Sequence, residues 1–191
     1  MGTRYKGDLT DHPLRFITTT FNQWLQLLID DSYFNIITDS LNFTSRKYSV
    51  DILAYVIMPN HLHLVLFFYN EVKVSDYMRD FKKFTSGEIR RKLLKDGEAD
   101  LLKKLEHSSC TKKYKIWMDR FDDFVIKNPK MLHIKMNYIH ENPVRKQLSE
   151  TAENYPYSSA SFYQNEKKGN VEVKYYLDSI GWGNHFSYGR I

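Results

Sequence analysis

Apolar and polar positions alternate with a period of two in some stretches of this chain and return every three to four residues in others. These two rhythms predict strands and helices. FITTTF at 16–21 is rich in β-branched and aromatic residues and predicts a strand. From about Trp24 to Leu41, Leu27, Leu28, Phe34, Ile37 and Leu41 recur at helical spacing, with Asp30-Asp31-Ser32 as a break and N-cap. Residues 50–57 predict a second strand, Met58-Pro59-Asn60 a short turn, and 61–68 a third strand that pairs with the second as a hairpin.

Ser75 is placed to cap a helix whose apolar side carries Tyr77, Phe81, Phe84, Ile89 and Leu93, while Lys82, Lys83, Arg90, Arg91 and Lys95 fill much of the remainder. Residues 97–109 fit either a further helical turn or a loop. KIWMDRFDDFVI at 115–126 predicts a fourth strand or strand pair. Asn128-Pro129 opens a last helix with proline at its first position. It carries Met131, Ile134 and Tyr138 and stops at Pro143. The order is that of an α+β fold with a ferredoxin-like βαββαβ core, an antiparallel sheet and a C-terminal tyrosine-bearing helix. From Ser149 the chain is poor in strand signals. We expect one domain over 1–148 and an appendage over 149–191 packed on it.

Composition narrows the class. The 191 residues are 42% hydrophobic and 27% charged, as in a globular protein, and no window offers the roughly 20 apolar residues of a membrane span. The opening MGTRYKGDLTDHPLR has no apolar stretch after its charges, unlike a secretory signal. One cysteine, Cys110, excludes an internal disulfide and disfavours a structural zinc site, which points to a reducing cytoplasm. Net charge is +5, and between Arg79 and Lys115 twelve basic residues stand against six acidic ones. Such a concentration fits a polyanion partner as well as a solvated helix face.

The chemistry centres on His61-Leu62-His63. In a strand, residues i and i+2 project the same way, so the two imidazoles can converge on one metal ion while Leu62, Leu64 and Leu66 point into the core. The pair alone also fits two hydrogen-bonded surface histidines. Tyr138 and Asn142, four apart on a helix, share a face and can bring a phenol and an amide oxygen to one place. Taken singly, these two also fit a core aromatic and a helix-end cap.

FITTTF, MPNHLHL (58–64), FKKFTS (81–86), YIHENPVR (138–145) and YPYSS (155–159) occur in one order over about 14–160. In this the chain resembles the REP-associated tyrosine transposases, a branch of the single-tyrosine HUH transposases. The resemblance implies metal ligation by His61 and His63, with Asn142 where relatives carry a polar third ligand, usually glutamine. It makes Tyr138 the nucleophile, attacking single-stranded DNA to leave a 5′-phosphotyrosine and a free 3′-OH. It further implies a hairpin-forming DNA repeat as substrate. Mixed nitrogen and oxygen ligation of a divalent metal is compatible with Mg²⁺ or Mn²⁺, although Zn²⁺ also binds histidines. The basic helix around Lys82, Lys83, Arg90 and Arg91 is expected on the DNA backbone. Tyr157 stands where the family usually has tryptophan, and Glu141 is a candidate alternative ligand.

Other readings of the same residues are a catalytically silent HUH-fold DNA-binding protein and a replication-initiator or relaxase-like nuclease. The expected setting is the bacterial cytoplasm at the nucleoid, without membrane attachment, as a monomer or a homodimer.

Overall fold

A computed structural model describes residues 13–69, 72–109 and 112–180. Cys110 and residues 1–12 lie outside these. Leu14–Thr20 forms β1, as its β-branched run predicts. A 3₁₀ turn at Asn22–Trp24 leads on toward α1 (Asp31–Tyr48). The helix expected from about residue 24 begins only at Asp31, because extended Asp30 caps it by accepting from the Ser32 amide at 2.8 Å. Leu27 and Leu28 are buried without a helix, their amides donating to the Pro59 carbonyl.

β2 (Val50–Met58) and β3 (His61–Phe68) make the expected hairpin, and α2 (Val74–Asp96) follows. Lys73 is its N-cap residue and makes no side-chain capping bond, and Ser75 lies inside the first turn and does not cap it. Gly97 ends α2 at φ 75°, where a side chain would cost about 1–2 kcal/mol. The stretch compatible with helix or loop contains both helix and strand: α3 (Ala99–Leu105), then β4 (Glu106–Ser109) paired with β5 (Lys112–Tyr114). Of 115–126, only β6 (Asp122–Val125) joins the main sheet. Ile116 and Trp117 are buried in an irregular segment because their neighbours bond the end of β1: the Asn22 amide donates to the Ile116 carbonyl and the Met118 amide to the Thr20 carbonyl.

α4 (Pro129–His140) starts where Asn128 caps it, accepting from the Met131 amide at 2.9 Å. α5 (Asn142–Arg145) continues its path, since the linking Glu141 is itself right-handed helical. The main sheet runs β2-β3-β1-β6, with every neighbouring pair antiparallel, as the ferredoxin-like order requires.

The two sheet faces differ. Leu62, Leu64, Leu66 and Phe68 point to the α2 side, where Phe68 meets Tyr77 edge-on at 5.9 Å. The odd-numbered positions of β3 face α4. Two stripes of α4 share helical spacing, and the buried one is Leu132, Met136 and Ile139. Ile134 of the expected stripe is exposed, Tyr138 is partly exposed at the margin of the sheet contact and Met131 is half-buried, because the sheet packs mainly against the Leu132, Met136 and Ile139 side. Phe84 is likewise exposed, although Tyr77, Phe81, Ile89 and Leu93 are buried as expected.

The segment after Ser149 covers the open edge of β2. The Ile57 amide donates to the Tyr157 carbonyl at 2.8 Å, the Ser159 amide donates to the Tyr55 carbonyl at 3.0 Å, and Val173 bridges to Ile52. Edge cover of this kind removes a free row of strand donors and acceptors. Tyr157 stacks on Phe34 at 3.9 Å and donates to Asp31 at 2.6 Å. α6 (Ala160–Asn165) and α7 (Tyr176–Ser179) complete the segment. Among the described residues, no helix is long and apolar enough to cross a membrane.

Candidate functional site

Strand alternation puts His61 and His63 on the α4 side of β3, with their ring centres 4.7 Å apart. Tyr138 reaches them from α4, its ring 5.1 Å from that of His63. Phe16 of β1 stacks on His63 at 5.6 Å and meets Tyr138 edge-on at 6.1 Å. Four side chains that the sequence spreads over 16–138 therefore form one cluster. Tyr138 is 39% exposed and open to a ligand, whereas both histidines are buried.

Hydrogen bonds hold both imidazoles. The Asn60 Oδ1 lies 2.6 Å from His61 Nδ1 and can only accept, so the proton of His61 sits on Nδ1 and its Nε2 carries the lone pair. Thr18 Oγ1 stands 2.8 Å from His63 Nδ1 and holds that ring in place. Burial pushes His61 down to about 4, helped by Lys146. It pushes His63 down to about 3, helped by His61, Lys135 and Arg145. Both rings are thus neutral near pH 7, the state in which an imidazole binds a metal.

Two imidazole nitrogens and an amide oxygen are donor types that suit a divalent ion. His63 Nε2 and Asn142 Oδ1 are buried and have no hydrogen-bond partner among the described residues. Two such orphans are unfavourable unless a further ligand satisfies them. Among the described residues no group of three or more His, Cys, Asp or Glu is placed to hold a metal. Glu141 is exposed.

Arg145 and Lys135 flank Tyr138 and His63. The Arg145 guanidinium lies over the Tyr138 ring, and the Lys135 ammonium stands 4.4 Å from the Phe16 ring centre. Sequence reasoning missed these two, together with Thr18. Arg145 sits seven residues after Tyr138, a helical spacing that was available. Thr18 depends on the β1–β3 register, which no local pattern reveals. His140, two residues after Tyr138, faces away: its Nε2 is 2.9 Å from Ser159 Oγ in the C-terminal segment.

The four expected DNA contacts divide. Lys82, Lys83 and Arg90 line a groove of about 790 Å³ between α2 and residues 113–121, together with Lys113 and Lys115. Lys82 donates to the main-chain oxygens of Met118 and Asp119, and burial lowers it to about 8. Lys83 and Arg90 make no salt bridge among the described residues. Arg91 lies outside that lining and pairs with Glu88 on its own helix.

A family model described as IS200-like transposase matches residues 17–142, which include His61, His63, Tyr138 and Asn142. A Haemophilus influenzae protein named as a REP-associated tyrosine transposase is 25% identical over 182 residues, spanning 90% of this chain and 97% of its own length. A solved REP-associated tyrosine transposase bound to a REP hairpin superposes with a TM-score of 0.62 at 21% identity, over 83% of this chain and 82% of that one. That last likeness is one of fold.

Proposed function

This chain belongs to the IS200-like transposase family, and we propose that it cleaves and rejoins single-stranded DNA at hairpin repeats with Tyr138 as the nucleophile. The observation that carries the reading is the Tyr138 ring 5.1 Å from His63, whose buried Nε2 has no hydrogen-bond partner among the described residues. The name of the Haemophilus influenzae relative and the hairpin held by the structural neighbour support the substrate.

In this mechanism the Tyr138 phenol attacks a backbone phosphorus. A tyrosine–phosphate bond forms, the bond from phosphorus to the 3′-oxygen breaks, and that oxygen leaves as a 3′-OH. The phosphotyrosine keeps a transferable phosphate ester, so a second 3′-OH can reverse the step without an external energy source. His61 and His63 through Nε2, with Asn142 through Oδ1, would hold a divalent ion, Mg²⁺ or Mn²⁺. When bound, such an ion polarises the scissile phosphate and offsets the charge that develops on it. Arg145 orients the Tyr138 ring, and Lys135 adds positive charge beside it. Lys82, Lys83 and Arg90 attract the strand to the α2 groove, while Arg91 stays paired to Glu88 outside it. Action at the nucleoid in the cytoplasm accords with such a substrate.

The test incubates wild type and Tyr138→Phe with a labelled single-stranded hairpin from the interspersed repeats of the source genome, in Mn²⁺ or in chelator. The expected result is a covalent adduct that needs the ion and vanishes in the variant, while hairpin binding persists. Tight binding with no adduct in any metal would overturn the nuclease reading in favour of a silent DNA-binding protein.

A further inference from the structure

Trp24 is 58% exposed and stands edge-on to the His61 ring at 6.1 Å. A single exposed apolar side chain is ordinary on a protein surface. Its backbone is not ordinary. Gln23 and Trp24 take φ of 56° and 57°, two successive non-glycine residues in the left-handed region. Each is unfavourable by about 1–2 kcal/mol.

The surroundings enforce this turn. The Asn22 amide donates to the Ile116 carbonyl at 2.8 Å, Gln23 Nε2 to the Lys104 carbonyl at 3.1 Å, and the Leu27 amide to the Pro59 carbonyl at 3.0 Å. The result is an indole held out in solvent at the rim of the histidine cluster. Strain and exposure both oppose stability, and their coincidence beside a reactive cluster marks a binding role.

We propose that Trp24 is the stacking platform for an unpaired nucleobase of the strand whose phosphate lies at His61, His63 and Tyr138. This rests on the strand-transfer reading above and adds the residue that receives a base. A flat indole face suits any base, and a run of neighbouring rings, Trp24 to His61 at 6.1 Å, His61 to His63 at 4.7 Å and His63 to Tyr138 at 5.1 Å, joins the platform to the cluster. Stacking needs an unpaired base, so the platform favours single-stranded DNA over duplex at this point.

The experiment pairs Trp24→Ala, Trp24→Phe and Trp24→Gly with a set of single-stranded hairpin oligonucleotides, each lacking one base near the cleavage position. Binding is read in the Tyr138→Phe background and cleavage with Tyr138 intact. Trp24→Ala is expected to weaken binding about 5- to 100-fold, and Trp24→Phe to recover most of it. At one abasic position the losses from the variant and from the missing base should not add, because each removes the same stack. Trp24→Gly should bind as poorly as Trp24→Ala yet melt no earlier than wild type, since glycine relieves the left-handed strain.

Additive losses at every position, or unchanged binding by Trp24→Ala while wild type still cleaves, would overturn the platform and leave the nuclease reading standing. A Trp24→Gly protein that melts well below wild type would also overturn it, by marking the indole as a packing group. Failure of wild type to bind or cleave any of the hairpins would overturn both readings together.

Discussion

The Arg145 guanidinium carbon lies 4.9 Å from the centre of the Tyr138 ring, and its Nη2 donates to the Tyr138 carbonyl oxygen at 3.1 Å. One side chain therefore holds both the ring and the backbone of the proposed nucleophile. A cation over an aromatic face contributes about 0.5–2 kcal/mol. Arg145→Ala is expected to slow covalent adduct formation about 10-fold while leaving hairpin affinity within a few-fold, and Arg145→Lys to restore only part because it lacks the planar fork. Single-turnover adduct formation, measured beside equilibrium binding, checks both.

Thr18 touches His63 across the register of β1 and β3. Thr18→Val keeps the shape and removes the oxygen that orients the imidazole. The Mn²⁺ concentration giving half-maximal cleavage should rise about 10- to 100-fold. A variant with the wild-type Mn²⁺ titration would show that Thr18 only packs.

Ser159 joins three elements: it accepts from the Tyr55 amide at 3.0 Å and stands 2.9 Å from His140 Nε2 on the Tyr138-bearing helix. Since His140 Nδ1 already lacks a partner among the described residues, Ser159→Ala leaves that imidazole fully unsatisfied. A loss of about 1–3 kcal/mol is expected, read from urea midpoints at an unchanged slope.

Acid should destabilise the metal-free protein. Burial pushes His61 and His140 down to about 4 and His63 to about 3, against 6.5 for a free imidazole. Above pH 6.5 the three are neutral in folded and unfolded chains alike. As pH falls from about 6.5 toward 4, only the unfolded chain gains protons, so stability drops by up to about 1.4 kcal/mol per pH unit for each histidine. Melting in EDTA between pH 7.5 and 5 should show a steady fall in Tm. A flat Tm would mean that these imidazoles are solvated.

Salt dependence separates the basic residues of α2. Lys83 and Arg90 line the groove, whereas Arg91 is paired to Glu88 outside it. Lys83→Ala and Arg90→Ala should each lower the slope of log affinity against log salt by about 1, while Arg91→Ala leaves it near wild type. Equal effects from all three would place the strand along the outer face of the helix.

Much of the fold was legible because local patterns are strong where one face is buried. The hairpin followed from two apolar runs around Pro59-Asn60, and Asn128-Pro129 marked the start of α4. Elsewhere the same patterns misled. The α1 helix starts later than its apolar spacing suggests, because Leu27 and Leu28 find their burial against Pro59 instead. Two stripes of α4 were equally periodic, and only the position of the sheet decided that Leu132, Met136 and Ile139 are core while Tyr138 stays partly exposed.

The sequence by itself determined which groups can do chemistry and in what local relation. His61 and His63 share a strand face, and Tyr138 and Asn142 lie a helical turn apart, because backbone geometry sets those periods. Tertiary structure alone decided that Tyr138 meets the histidine pair, with His63 against its ring, Thr18 behind His63 and Trp24 at the rim. Those contacts span tens of residues of chain. They depend on strand register, on which helix face meets the sheet, and on a turn held in an unfavourable conformation by bonds from distant segments, none of which leaves a local mark in the order of amino acids.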